Sequence, residues 1–118
     1  MKWILVGAVL GALAVMAGAF GAHGLRDRLE PKQLAAWSTA AHYQMLHSVV
    51  ILALGLFEVA SQRSVQVPAS LFTVGVVLFS GSIYLLTLGG GRALGPVTPL
   101  GGLSLIAGWL SLVLLARE

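Results

Sequence analysis

The sequence predicts an all-α integral membrane protein: a single-domain bundle of four transmembrane helices with antiparallel neighbours, over residues 1–118. Three observations predict it. Hydrophobic residues make up 58% of the chain, and mean hydropathy is +0.93. Only 9% of residues are Asp, Glu, Lys or Arg, against about 25% in a soluble domain, too few to coat a water-facing surface. The apolar residues also fall into four runs, each long enough to cross about 30 Å of hydrocarbon.

The first run, residues 3–22, carries no charge. Its alternative reading is a secretory signal, with Lys2 as the basic end and Ala17-Gly18-Ala19 as a cleavage site. The run is long for such a signal, so a retained span is the stronger reading. Residues 23–33 form a polar connection in which Glu30-Pro31 reads as a helix start, because the first turn has no use for the N–H that proline lacks. The second span runs over residues 33–60. Counted from Pro31 it is about 45 Å long, more than the bilayer core, so its first turns and Trp37 belong in the interface.

Residues 61–68 form a polar turn, and residues 69–88 are the third span. Gly89-Gly90-Gly91-Arg92 and Gly95-Pro96 end it. Thr98-Pro99 then reads as N-cap and first residue of the fourth span, residues 99–116. Four crossings put both termini on one side and loops one and three on the other. Lys2, Arg63 and Arg117 mark the first side, and Arg26, Arg28, Lys32 and Arg92 the second. This balance gives no orientation by the positive-inside rule.

Composition also excludes functions. Without cysteine there are no disulfides, thiolate metal sites or thiol nucleophiles. The formal charge of +3 comes from basic residues scattered at the ends of apolar runs, which fits membrane anchoring and not a nucleic-acid face. The lipid bilayer is the expected surrounding, with a membrane-protein partner or a second copy as further partners.

In lipid, helices associate through close contact of small residues, because burying apolar surface gives little net drive. Gly7, Gly11 and Gly18 supply such positions on the first helix, Gly81 on the third, and Gly101 and Gly108 on the fourth. Packing within the bundle is the plainer reading, and a dimerisation seam the sharper one.

Polar residues within the spans raise the question of a site. Thr39, Tyr43 and His47 form one stripe at four-residue spacing, with Gln44 beside it. Ser80, Ser82 and Tyr84 lie near the end of the third span, and Thr98 at the start of the fourth. Topology gathers these with His23 in one half of the bundle, as a candidate polar pocket. The bland reading is interhelical hydrogen bonding. The sharper ones are a pocket for a ligand, lipid headgroup or ion, or a proton relay through His23 or His47. His42 and His47 are about 140° apart on a helix, so they do not converge on one ion. No metal site, cofactor or catalytic set is legible. Glu58 is an acid within an apolar run, and is expected to reach the interface or pair with Arg63.

Four strings, GAFGAHGL (18–25), WSTAAHYQMLH (37–47), FSGSIYLL (79–86) and TPLGGLSLIAGW (98–109), fall in all four spans. Together they resemble the YgdD-like family of small bacterial inner-membrane proteins. That family has no assigned function and is related to a small eukaryotic transmembrane protein. The resemblance carries over His23, Trp37, Tyr43, Gln44, His47, Ser80, Gly81, Ser82, Tyr84, Thr98, Pro99, Gly101, Gly102, Gly108 and Trp109, but not His42. It implies the bacterial inner membrane, cytoplasmic termini and a polar cluster on the periplasmic half. It implies no activity.

The function expected from all this is that of a non-enzymatic accessory, assembly, lipid-binding or partner-binding membrane protein. A small oligomeric transporter or channel is the alternative, since two tandem hairpins form parallel repeats. A membrane enzyme using His23 or His47 on a lipid or quinone-like substrate comes third.

Overall fold

The computed structural model describes residues 1–117, and four long helices account for most of them. They are α1 (Lys2–His23), α2 (Pro31–Ser61), α3 (Gln66–Thr87) and α4 (Val97–Arg117), with a 3-10 turn at Arg92–Leu94 ahead of α4. All four are long and apolar enough to cross a membrane. Along their flanks Leu5, Leu13, Val49, Val77, Leu103, Leu110 and many other large apolar side chains are exposed. That pattern suits a surface solvated by acyl chains.

The start of α2 has a capping box. The Gln33 side chain accepts from the Glu30 N–H at 3.0 Å, the Glu30 side chain accepts from the Gln33 N–H, and Pro31 follows the cap. At the far end Gln62 takes a left-handed conformation, φ 61°, and its N–H closes on the Glu58 carbonyl.

Two helix starts differ from the sequence reading. Helix α3 begins at Gln66 and not at residue 69. Pro68 falls in its first turn, where a missing N–H costs nothing. Just before it, the Glu58 carboxylate accepts the Val65 N–H at 3.1 Å, and Ser64 Oγ accepts the Gln66 N–H at 3.2 Å. Helix α4 begins at Val97, so Thr98 lies inside the helix and is not its cap. The chain enters α4 through the 3-10 turn, which places the first helical residues two positions earlier than expected.

Helix α1 packs on α2, α2 on α3, and α3 on α4. The backbone trace measures 48 × 26 × 17 Å, a flattened bundle with α2 and α3 across its middle. Glycines set the two hairpin contacts. A Cβ on Gly7 would come within 2.7 Å of the Leu52 nitrogen, and one on Gly55 within 2.7 Å of the Ile4 nitrogen. In the other hairpin, Gly101 lies against the Phe79 backbone, and a Cβ on Gly108 would meet the Phe72 ring at 2.8 Å. Gly11 makes ordinary contact with Ser48 at 3.7 Å. Gly18 and Gly81 depart from the expectation: a Cβ on either has nothing within 4 Å. Both face outward, where their lack of a side chain opens a surface instead of closing one.

The apolar core lies towards the end that holds the termini. Trp3, Ile51, Leu54, Val65, Ala69, Phe72, Val76 and Leu105 form one buried cluster. At that end Arg63 donates to the Leu115 carbonyl at 2.7 Å and lies over the Phe57 ring at 5.6 Å, tying the α2–α3 turn to the last turn of α4. A cation is favourable there, beside the partial negative charge of a helix C-terminus.

Candidate functional site

Besides the Arg63–Leu115 contact and the Ser104 hydroxyl, which donates to the Leu71 carbonyl at 2.8 Å across the α3–α4 hairpin, the interhelical polar contacts among the described residues divide into three groups. Gln44 is the centre of the first. Its amide donates to the Leu10 carbonyl of α1 at 2.8 Å, and its Oε1 accepts from the Tyr84 hydroxyl of α3 at 2.7 Å. One side chain thereby joins three helices, and it is 5% exposed. The Tyr84 ring rests on the Trp37 indole, centroids 4.6 Å apart. Trp37 is itself buried, and its N–H donates to the Ala17 carbonyl at 2.7 Å. The partner of its N–H is thus the backbone of α1. Gly21 makes that approach feasible, because a Cβ there would reach within 2.5 Å of the indole. Ser80 adds a bond to the Ala40 carbonyl at 2.7 Å.

The second group links α2 to α4. Buried His47 bonds through Nδ1 to the Tyr43 carbonyl at 2.8 Å, and through Nε2 to the Trp109 N–H at 3.1 Å. Trp109 has only a donor to offer, so Nε2 is the acceptor and the proton resides on Nδ1. This is neutral imidazole with both nitrogens engaged. Phe72 packs against both rings, and Phe79 against Tyr43. The third group is the hydroxyl pair Ser82–Thr98, which joins α3 to α4 in place of the expected helix cap.

The nine residues read from the sequence as one pocket are therefore not one pocket. Gln44, Ser80 and Tyr84 come together on the α1 side of α2–α3. His47 pairs with Trp109 on the α4 side, and Ser82 with Thr98. Tyr43 is 41% exposed and borders the His47 group, while Thr39 faces outward and His23 is exposed at the last residue of α1. The inward face of α2 is formed by Trp37, Ala40, Ala41, Gln44, His47 and Ser48, rotated from the stripe Thr39–Tyr43–His47. Trp109 and Trp37 are the participants that residue-level reading underweighted. A tryptophan within an apolar run, whose N–H needs an acceptor, was the available signal. Among the described residues, no group of His, Asp or Glu is placed to hold a metal ion. Glu58, whose expected partner was Arg63 or the interface, has its carboxylate on the Val65 N–H.

Two lateral grooves flank these groups. One, about 380 Å³, runs between α1 and α3 over Trp37, Gln44 and Tyr84. The other, about 450 Å³, runs between α2 and α4 and is lined by His42, Tyr43, His47, Phe79 and Trp109. A third, about 350 Å³, opens at the loop end of the α1–α2 hairpin.

Fold and pairings together define a small multi-pass helical membrane protein whose polar side chains join its helices. Residues 17–102 match the model of a protein family described as "Protein of unknown function (DUF423)". The chain belongs to this family, as the four strings implied. Its relatives include a UPF0382 membrane protein of Staphylococcus saprophyticus, 43% identical over 95% of this chain and 93% of the relative. The UPF0382 membrane protein YwdK of Bacillus subtilis is 42% identical over 97% and 94%. A UPF0382 membrane protein of Schizosaccharomyces pombe is 42% identical over 92% and 95%. No solved structure matches the chain.

Proposed function

We propose that this protein is a non-enzymatic accessory of the membrane that holds bilayer lipid in its lateral grooves. The observation that carries this reading is the state of His47. It is the buried residue best suited to acid–base work, yet both its ring nitrogens are bonded, one to the Tyr43 carbonyl and one to Trp109. Gln44, Ser80 and Trp37 are engaged in the same way. Such groups fix helix positions, which leaves the apolar grooves as the surfaces for recognition. A transport path is less well supported, because the polar groups lie in separate clusters and not along one line.

The helical, non-barrel architecture supports residence in the bacterial inner membrane. We place both termini on the cytoplasmic side, following the orientation that the family resemblance implies, since the basic residues divide almost evenly between the two ends. Single cysteines at Gln62 and Asp27 in this cysteine-free chain test the orientation: a membrane-impermeant thiol reagent on intact cells should label the Asp27 position alone.

Native mass spectrometry on protein extracted gently with its own lipids tests the function. The expected result is a stoichiometric lipid adduct. A non-lipid small molecule released by His47→Ala, or a bare chain across several mild detergents, would overturn the proposal.

A further inference from the structure

The groove at the loop end of the α1–α2 hairpin differs from the other two in having a cation at its mouth. Its floor is Gly18, Gly21, Ala22 and Ala41, its inner wall is the Trp37 indole, and Arg26 lies over one end. Gly18 and Ala22 are exposed, with nothing within 4 Å of a Cβ built on Gly18, so the trough is open to the bilayer along its length. Arg26 is exposed too. Among the described residues, neither its guanidinium nor the Ser38 hydroxyl on the groove wall bonds to another part of the chain.

We propose that this groove is a binding site for one anionic phospholipid. The inference rests on the lipid-binding reading above and names the lipid class and the place. A headgroup phosphate matches the planar donor fork of Arg26, and Ser38 offers a hydroxyl to the phosphate or glycerol oxygens. An acyl chain then lies along the Gly18–Ala22 trough against Trp37. Three things favour lipid over a second protein helix as the occupant. The groove is short, it ends at the connection where headgroups are found, and its polar element is a single unpaired cation. Arg28 and Lys32 belong to the same end of the bundle and add to its attraction for negative charge, while Asp27 and Glu30 limit it.

The test is native mass spectrometry of the full chain in micelles doped with equal amounts of phosphatidylglycerol and phosphatidylcholine bearing identical acyl chains. Wild type should retain one phosphatidylglycerol in preference. Arg26→Gln should reduce that preference about fivefold. Gly18→Leu should lower occupancy by both lipids, because it fills the trough. Arg28→Gln should change the preference less than Arg26→Gln does. Circular dichroism melts should show all three variants folded, since the positions altered make no helix contact. Equal retention of both lipids by wild type, with adducts still stoichiometric, overturns the Arg26 site and leaves the lipid-binding function standing. A preference unchanged in Arg26→Gln overturns the site as well. Retention of neither lipid overturns both proposals.

Discussion

The Trp109 indole N–H donates to His47 Nε2 at 3.1 Å, with the Phe72 ring packed against both partners. This contact fixes the tautomer of the one buried histidine and ties α4 to α2 past the intervening α3. His47→Ala leaves the Trp109 N–H without its acceptor, beside a small cavity. Unfolding in bicelles should show a loss of about 2 kcal/mol. A double-mutant cycle with Trp109→Phe should give a coupling of about 0.6–1.7 kcal/mol. Additive single effects would mean that the two rings merely adjoin.

Gln44 has a wider role, since its amide reaches α1 and its carbonyl reaches α3. Tyr84→Phe removes one bond and should cost about 1 kcal/mol. Gln44→Leu breaks both bonds and strands the Tyr84 hydroxyl, so it should cost more. The distance between spin labels placed at Leu13 and Val77, which line the groove between α1 and α3, should be more broadly distributed in Gln44→Leu than in Tyr84→Phe. Equal behaviour of the two variants would count against the three-helix junction.

The glycines divide into two classes by what a side chain would meet. Gly7→Leu and Gly101→Leu drive a side chain into the backbone of the neighbouring helix. They should destabilise by about 1–3 kcal/mol or prevent folding. Gly81→Leu points into open space and should remain within about 0.5 kcal/mol of wild type. Thermal melts of the three variants decide the matter. A reversed order would mean that the outward glycines, and not the inward ones, hold the helices together.

At the other end, the Glu58 carboxylate accepts the Val65 N–H just ahead of α3. Glu58→Ala should cost about 1 kcal/mol, as loss of a helix cap does. It should also speed hydrogen exchange at Val65 more than at residues near the middle of α3. Exchange that is unchanged at Val65 would show that the carboxylate has no capping role.

The sequence disclosed the fold more fully than the site, and particular residues show why. Spans were legible because charge is nearly absent inside them, and that follows from the solvent. Which face of a span turns inward was not legible, because apolar residues surround α2 on both its lipid and protein sides. Thr39, Tyr43 and His47 share a stripe by spacing, yet only His47 is buried, while Gln44 and Trp37 fill the inward face. Topology placed His23 at the correct end of the bundle, but rotation about the α1 axis, invisible in the sequence, turns it outward. Thr98 shows a different limit. Its position beside Pro99 fits a cap, and only the proximity of Ser82 shows where its hydroxyl goes.

Because each outer helix grips its neighbour in sequence, most of the bundle can assemble as the chain emerges from the ribosome. The first hairpin carries its own glycine contacts and the Gln44–Leu10 bond, so it can enter the bilayer as a finished pair. Two buried side chains remain incomplete at that moment. Gln44 lacks the Tyr84 hydroxyl until α3 is inserted, and His47 lacks Trp109 until α4 follows. These late bonds make Gln44 and His47 the points at which an unfinished chain differs from a complete one. A quality-control protease that reads exposed polar groups within the membrane would find them there.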